Sequence, residues 1–242
     1  MDRTIVFTDG AAKGNPGPAG WGSVILTPDR QVIELGGGSP HATNNQMELS
    51  GVIEALHRLR DKPGHIDVYT DSTYVIRGIK EWIRSWKRRG WKTVEGKDVL
   101  NRDHWERLDH LVAARGPRAI SWHYVRGHTA VPGNERADTI ASGFATHGYV
   151  ELFRGPYSEY TISLTEVPED SSLPPRKSST SSKKSVAYSY LSVVDGRPMR
   201  HSTWPDCESR VKGKSGARFK KATSAADEVE ILKKWGCRID DL

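Results

Sequence analysis

Cysteine is scarce in this chain of 242 residues, and long apolar runs are absent from it. The two cysteines, Cys207 and Cys237, lie near the C-terminus and provide neither a disulfide framework nor a zinc-binding spacing. No stretch approaches the roughly 18 consecutive apolar residues that span a bilayer. Residues 1–4 lead directly into a strand pattern without a signal-peptide hydrophobic region. These absences predict a cytoplasmic protein with reduced thiols and no membrane partner.

Positive charge is plentiful, with a net charge of +6 and a pI near 9.3. Residues 77–92 hold seven lysines and arginines against one acid, Glu81. Such a run is often only a solvated surface. Here Trp82, Trp86 and Trp91 are interleaved with the basic residues, which favours binding to a nucleic-acid phosphate backbone.

The pattern of strands and helices predicts an α/β fold. Three short strands come first, near residues 4–8, 21–26 and 31–36, and a helix follows that begins at a Thr43–Gln46 capping box. A fourth strand at 66–70, two helices, a fifth strand at 119–125 and a last helix complete the order βββαβααβα. This order predicts a mixed five-stranded sheet flanked by helices.

The composition also predicts a division into domains. Residues 170–185 contain seven serines and four basic residues without apolar periodicity, which is typical of a flexible linker. We therefore predict a first domain at 1–150, a linker at 151–185 and a small C-terminal α/β module at 186–242.

Four acids are candidates for one site. Asp9 and Asp71 follow predicted strands, whereas Glu48 and Asp138 lie on predicted helices. Clustered carboxylates destabilise a protein unless a cation offsets their charge, and a set of oxygen ligands favours Mg²⁺ or Mn²⁺. Two such ions can hydrolyse a phosphodiester. Glu135, three residues before Asp138 on the same helical face, is an alternative ligand.

Five motifs carry a family resemblance over residues 3–147: FTDGAAKGNPGPAGWG, ATNNQMEL, YTDSTYVIRGIKEWI, KRRGWKT and VRGHTAVPGNERAD. In this order and spacing they resemble type 1 ribonuclease H of the bacterial ribonuclease HI type. The resemblance implies a ribonuclease H-like fold and an endonuclease that hydrolyses the RNA strand of an RNA–DNA hybrid by two-metal-ion catalysis. The expected products have 5′-phosphate and 3′-hydroxyl ends.

The same resemblance implies roles for individual residues. Two Mg²⁺ ions, or Mn²⁺, would be held by Asp9, Glu48, Asp71 and Asp138, with Asp71 nearest the nucleophile, and His128 would assist proton transfer or product release. Minor-groove contacts are implied for Asn15, Asn44 and Asn45, and a grip on a DNA phosphate for Thr43 and Asn101. The DNA channel would be lined by Tyr74 and Trp82. The basic protrusion would comprise Lys87, Arg88, Arg89 and Trp91.

The C-terminal module resembles the hybrid-binding, viroplasmin-like domain of eukaryotic ribonucleases H. The matching positions are Tyr188, Cys207 and residues 202–204, 211–213 and 216–221. The resemblance implies that Trp204 and Phe219 stack on the DNA backbone while Lys220 and Lys221 contact phosphates. Ala222 departs from the family pattern, in which an aromatic residue follows the lysine pair. The alternative is a small basic packing module.

Two other functions compete with the ribonuclease H interpretation. One is a nucleic-acid-binding protein with a vestigial nuclease site, which the presence of all four acids and His128 disfavours. The other is a related nuclease that cuts DNA, such as a resolvase. The sequence predicts a monomer whose partner is an RNA–DNA hybrid, with no protein partner.

Overall fold

The computed structural model describes residues 2–126, 131–146, 148, 150–168, 171–174 and 187–242. The chain divides into two compact units, Met1–Pro174 and Pro175–Leu242. Among the described residues, no helix combines the length and the apolar character that crossing a membrane requires.

The first unit is a mixed sheet with helices. Its described strands are β1 (Arg3–Ala12), β2 (Gly17–Leu26), β3 (Gln31–Ala42), β4 (His65–Thr70), β5 (Ile120–Tyr124) and β6 (Arg154–Pro156). Its described α-helices are α1 (Asn44–Arg58), α2 (Thr73–Arg77), α3 (Ile83–Arg88), α4 (Arg102–Arg115) and α5 (Pro132–Ala145). A π-helical turn, Gly78–Trp82, joins α2 to α3, so one predicted helix is observed as three consecutive pieces.

The strand order is β5-β4-β1-β2-β3-β6. The first three strands, predicted from the sequence, form an antiparallel meander, whereas β1, β4 and β5 run parallel to one another. Because β1 is central, it is buried on both faces. Val6 packs with the α1 and α4 side chains, and Phe7 packs on the opposite face with Ile140 of α5. The predicted mixed α/β sheet is confirmed.

The sheet has six strands rather than the predicted five, because β6 pairs with the outer edge of β3. Strand β6 belongs to a segment at residues 150–164, here called the strap, which continues into the core, where Leu164 is fully buried. The predicted linker begins at residue 151, but the first unit extends to Pro174 and so includes the strap. Apolar and aromatic side chains hold the strap there, although they show no regular period.

The second unit is a three-stranded antiparallel sheet with two helices. Its strands are β7 (Ser189–Val194), β8 (Arg197–His201) and β9 (Arg218–Ala222), in the order β8-β7-β9. The helices are α6 (Trp204–Val211) and α7 (Ala225–Trp235). Leu191 and Leu232 form the centre of its core. The predicted small α/β module is confirmed.

Candidate active site

Asp9 lies where the pairing of β1 changes. The parallel ladder with β4 ends at the Thr8–Thr70 pair, whereas the antiparallel ladder with β2 continues to Ala12. Asp9 is therefore inside β1, not at its end as the sequence predicts, because the glycine-rich residues after it still pair with β2. Asp71 directly follows β4. Both carboxylates thus stand at the same edge of the parallel β1–β4 pair.

Helix α1 brings Glu48 to these two acids. The predicted capping box is present at the start of the helix, where Thr43 and Gln46 exchange hydrogen bonds. The helix packs directly on the backbone of β1, because a Cβ atom on Gly10 would lie 2.4 Å from the backbone nitrogen of Glu48. The side-chain amide of Asn44 donates a 2.8 Å hydrogen bond to Glu48 Oε1 and orients the carboxylate.

The three acids form a compact cluster. Carboxylate oxygens of Asp9, Glu48 and Asp71 all lie within 4.8 Å of one another. Burial, followed by the negative charges of Asp71 and Glu48, raises the pKa of Asp9 to about 8. The backbone N–H of Gly10 opposes this shift through a 2.6 Å hydrogen bond to Asp9 Oδ1. Without a cation, the cluster therefore retains protons near neutral pH.

Glu48 provides a test of whether the cluster suits a cation. Burial is the main reason that its pKa is raised to about 7, and the charge of Asp71 adds to the shift. Its Oε2 atom is buried and accepts no hydrogen bond from the described residues. A buried carboxylate oxygen without a hydrogen-bond donor destabilises the fold, and so do the negative charges beside it. A hard divalent cation would coordinate the oxygen and offset those charges. The residues present fit such an ion.

Asp138 lies on α5 at the wall of the same cleft. It is exposed, and Asn134 and Glu135 of the same helix also line the cleft. Asp138 lies outside the 4.8 Å cluster, although its charge is among the smaller causes, after burial, that raise the pKa of Asp9. Glu135 therefore stays an alternative ligand. His128 lies outside the described residues, so its role stays a prediction.

Asn134 is a candidate residue that sequence reasoning did not propose. It is buried, it lines the cleft, and its Oδ1 atom has no hydrogen-bond partner among the described residues. Its position four residues before Asp138 puts both side chains on one face of a helix. That spacing is a signal the sequence does contain.

The predicted minor-groove residues lie beside Glu48. Asn15 Oδ1 accepts a 3.1 Å hydrogen bond from the backbone nitrogen of Asn44, whose own side chain holds Glu48. Asn45 is exposed on the first turn of α1. Thr43 is engaged in the capping box. The structure thus brings Thr43, Asn44 and Asn45 to the N-terminus of α1, with Asn15 hydrogen-bonded to Asn44.

The predicted channel residues form an aromatic cluster. Tyr74 Oη accepts hydrogen bonds from Asn101 Nδ2 at 3.2 Å and from Trp105 Nε1 at 3.1 Å. The rings of Tyr74 and Trp82 are 5.8 Å apart, and Trp86 contacts both Trp82 and the fully buried Trp105. Trp82 is half-buried, so this cluster is partly core and partly surface.

The basic protrusion is only partly available to phosphates. Arg88 and Arg89 are exposed at the end of α3, whereas Lys87 Nζ lies 2.6 Å from Asp109 Oδ2. Trp91 adopts a left-handed φ of 63° and packs partly against the core between α1 and the sheet. Among the three basic residues of the predicted protrusion, Arg88 and Arg89 are therefore more available to phosphates than Lys87.

The fold agrees with comparisons to known proteins. A family model described as RNase H matches residues 1–146. The chain belongs to the ribonuclease H family. The ribonuclease H of Cupriavidus metallidurans is 51% identical over 142 residues, which cover 59% of this chain and 94% of that protein. The ribonuclease H of Thermosynechococcus vestitus is 56% identical over 138 residues, or 56% and 84% of the two chains.

Solved structures also resemble the chain. The crystal structure of LC9-RNase H1, described as a type 1 RNase H with the type 2 active-site motif, is 28% identical with a TM-score of 0.54 and covers 66% of this chain and 81% of that one. Prototype foamy virus protease–reverse transcriptase is 26% identical with a TM-score of 0.51, covering 61% and 21%. The family and its relatives identify the protein as an enzyme with ribonuclease H activity.

In the second unit of this ribonuclease H, three of the predicted contact residues, Trp204, Phe219 and Lys221, lie on one face of the sheet. The Trp204 ring lies 5.4 Å from that of Phe219 and 5.7 Å from that of Tyr190. Trp204 is 36% exposed and Phe219 is 52% exposed. Lys221 is half-buried on the same face of β9 as Phe219, whereas the exposed Lys220 projects from the opposite face. The structure thus forms an exposed aromatic pair with Lys221 on its face of the sheet.

Proposed function

We propose that this ribonuclease H hydrolyses the RNA strand of RNA–DNA hybrids at the cluster of Asp9, Glu48 and Asp71, leaving 5′-phosphate and 3′-hydroxyl ends. The carboxylate oxygens that lie within 4.8 Å of one another carry this proposal. Mg²⁺ is the proposed metal, with Mn²⁺ as the alternative. A pair of bound ions supplies Lewis acidity at the scissile phosphate and an activated water.

The surrounding residues hold these ligands in place. The Gly10 N–H fixes one oxygen of Asp9, and the Asn44 amide fixes one oxygen of Glu48. Asp138 is the proposed fourth ligand, reached from α5. Two rigid elements, the central strand β1 and helix α1, thus present the carboxylates with little freedom to reorient, which is what a metal site requires.

Hybrid recognition is proposed for the residues around this cluster. The linked amides of Asn15 and Asn44 stand beside Glu48, where they can reach the 2′-hydroxyl groups that distinguish RNA from DNA. The exposed guanidinium groups of Arg88 and Arg89 suit the phosphates of the DNA strand. Their contribution should weaken as the salt concentration rises.

A cleavage assay with labelled substrates tests the proposal. We expect the wild-type protein to cut the RNA strand of a hybrid with Mg²⁺, and we expect Asp71→Asn to lose at least about a hundredfold in kcat, since a ligand to the reacting centre is removed. Asp61→Asn is the matched control, because Asp61 is an exposed acid paired with Arg60. Cleavage of duplex DNA would favour the resolvase alternative. No cleavage with either Mg²⁺ or Mn²⁺ would favour a vestigial site.

We further propose that the second unit binds the same hybrid. The supporting observation is the exposed pair of Trp204 and Phe219, with Lys221 on the same face of β9 as Phe219, because aromatic rings near a cation suit stacking on a nucleic-acid backbone. A double substitution, Trp204→Ala with Phe219→Ala, should weaken hybrid binding about tenfold or more.

Fluorescence anisotropy with a catalytically inactive Asp71→Asn background measures that affinity. Val229→Ala is the control, since Val229 is similarly exposed but lies on α7. Equal affinities for the double variant and the control would identify the second unit as a packing module without a binding role.

A further inference from the structure

Glu34 of β3 is a buried carboxylate with a full set of hydrogen-bond donors. Oε1 accepts from Arg136 Nε at 2.7 Å and from Tyr160 Oη at 2.5 Å. Oε2 accepts from the second nitrogen of the Arg136 fork at 2.7 Å and from the backbone N–H of Phe153 at 2.9 Å. Burial by itself would raise the pKa of Glu34, but these hydrogen bonds lower it below its usual value. The carboxylate is therefore ionised and tightly held.

The donors come from two other elements. Arg136 belongs to α5, whereas Phe153 and Tyr160 belong to the strap. The fork of Arg136 also bonds the strap directly, by donating a 2.8 Å hydrogen bond to the backbone carbonyl of Glu151. The planar guanidinium fixes direction as well as distance, because its parallel N–H groups match a carboxylate in one orientation. One arginine thus joins α5 to both β3 and the strap.

The same helix carries the cleft residues. Asp138 is two positions after Arg136, so the two side chains leave the helix roughly 200° apart, one towards β3 and one towards the acids. On the sheet side, α5 lies directly on β2, because a Cβ on Gly22 would stand 2.3 Å from the carbonyl oxygen of Ala137. That contact sets the distance of the helix from the sheet. The Arg136 fork sets its position along the sheet.

We propose that Glu34, Arg136 and Tyr160 are positioning residues for cleavage. Their network places α5, and so determines how far Asp138 stands from Asp9, Glu48 and Asp71. The inference rests on the proposed function, because Asp138 acts there as the fourth metal ligand. It assigns the strap a part in the active site even though no strap residue lines the acid cleft among the described side chains.

Two mild substitutions in the full chain test the network. Tyr160→Phe removes one hydroxyl, and Arg136→Lys keeps the charge but loses the fork. Calorimetric titration with Mg²⁺ alone should give a Kd about three- to tenfold higher for each variant, and kcat on a hybrid should fall by a similar factor with KM unchanged. Arg136→Met should bind Mg²⁺ more weakly than Arg136→Lys.

Tyr157→Phe is the matched control. Tyr157 is a strap tyrosine whose hydroxyl accepts a 2.9 Å hydrogen bond from the backbone nitrogen of Leu164 and does not contact Glu34. This variant should lower the melting temperature yet leave the Mg²⁺ Kd and kcat within about twofold of wild type. All assays are made at a temperature where circular dichroism shows every variant folded.

The proposal is overturned if Tyr160→Phe and Arg136→Lys reduce the melting temperature as Tyr157→Phe does while Mg²⁺ affinity and kcat stay at the wild-type values. The network would then be structural only. A wild-type protein that cleaves no hybrid would instead contradict the proposed function itself, so the two failures are distinguishable.

Discussion

The carboxylates of the acid cluster lower the stability of the metal-free fold. Asp9 and Glu48 are forced close together in a partly buried cleft, which raises both pKa values towards neutrality. In the described residues, burial and like charge are opposed by the hydrogen bond from the Gly10 N–H to Asp9 and by hydrogen bonds from Ser72 and Asn44 to Glu48. Strain of this kind concentrates at functional sites, where a ligand relieves it.

This strain makes the stability of the metal-free protein depend on pH. The pKa of Asp9 is about 8 in the folded state, well above that of an aspartate in an unfolded chain, so the folded state binds more protons between these values. The free energy of unfolding should therefore decrease as pH rises from about 5 to about 8, by on the order of 2 kcal/mol from this site.

Urea denaturation in EDTA at several pH values measures the effect. Asp9→Asn should flatten the decrease, because its amide does not ionise. Mg²⁺ should stabilise the wild-type protein more at pH 8 than at pH 5.5, since binding displaces the retained protons. A pH dependence that is the same in wild type and Asp9→Asn would contradict the assignment of this strain to Asp9.

Gly10 is required by the close approach of α1 to β1. In Gly10→Ala the new methyl group would stand 2.4 Å from the backbone nitrogen of Glu48, and a backbone atom cannot move aside as a side chain can. We expect a loss of about 2–3 kcal/mol in the free energy of unfolding and a large loss of kcat, because α1 must shift and take Glu48 with it.

Gly38→Ala is the control for Gly10→Ala, since the nearest atom to its methyl group would be 3.3 Å away. Thermal unfolding and hybrid cleavage are measured for both variants. Similar losses in the two proteins would indicate a general intolerance of the sheet and not a specific contact with α1.

At the scale of secondary-structure elements, the local patterns predict most of the first unit. The Thr43–Gln46 capping box starts α1 at the predicted place, and the apolar runs predict the central strands. These signals lie within a few residues of one another. β1 and β4 pair in parallel, which brings the residues that follow their apolar runs to the same end of the sheet. The sequence therefore predicts that Asp9, Glu48 and Asp71 meet, as they do in the structure.

The strap shows why the remainder could not be predicted. Strand β6 has three residues, too few to display a period, and its partner Ile33 is more than a hundred residues away. Glu34 and Arg136 are likewise distant in sequence, and the local sequence around either residue does not indicate that the two form an ion pair. The glycine-rich residues after Asp9 predict that β1 ends there, because glycines usually interrupt strands. In the structure, pairing with β2 continues β1 beyond Asp9.

Truncation tests whether the strap belongs to the first unit. A protein ending at residue 174 keeps the strap, and one ending at 149 loses it together with the buried side chain of Leu164 and the Tyr160 hydrogen bond to Glu34. The shorter protein should be less stable by about 4 kcal/mol or more, from lost apolar burial and an incompletely paired Glu34. Equal urea midpoints for the two proteins would show that the strap adds nothing.

For the whole molecule, the arrangement is two units with separate cores joined through one stretch of chain. The family match and the acid cluster both lie in the first unit, whereas the exposed pair of Trp204 and Phe219 lies in the second. Pro174 belongs to the first unit and β7 starts at Ser189, so residues 175–188 can span at most about 50 Å. A second unit tethered by so short a segment can engage the same nucleic acid at a high effective concentration.

Removing the second unit should therefore change substrate binding and not the chemical step. A protein ending at residue 174 should keep its kcat while its KM for a long hybrid rises about tenfold, because the tethered contact is lost. The dependence of KM on salt should also become shallower, since fewer lysine contacts with phosphates remain. Adding the second unit as a separate chain at equal concentration should not restore the KM, whereas Trp204→Ala with Phe219→Ala in the full chain should reproduce the truncation. An unchanged KM and salt dependence would mean that the first unit binds the hybrid by itself.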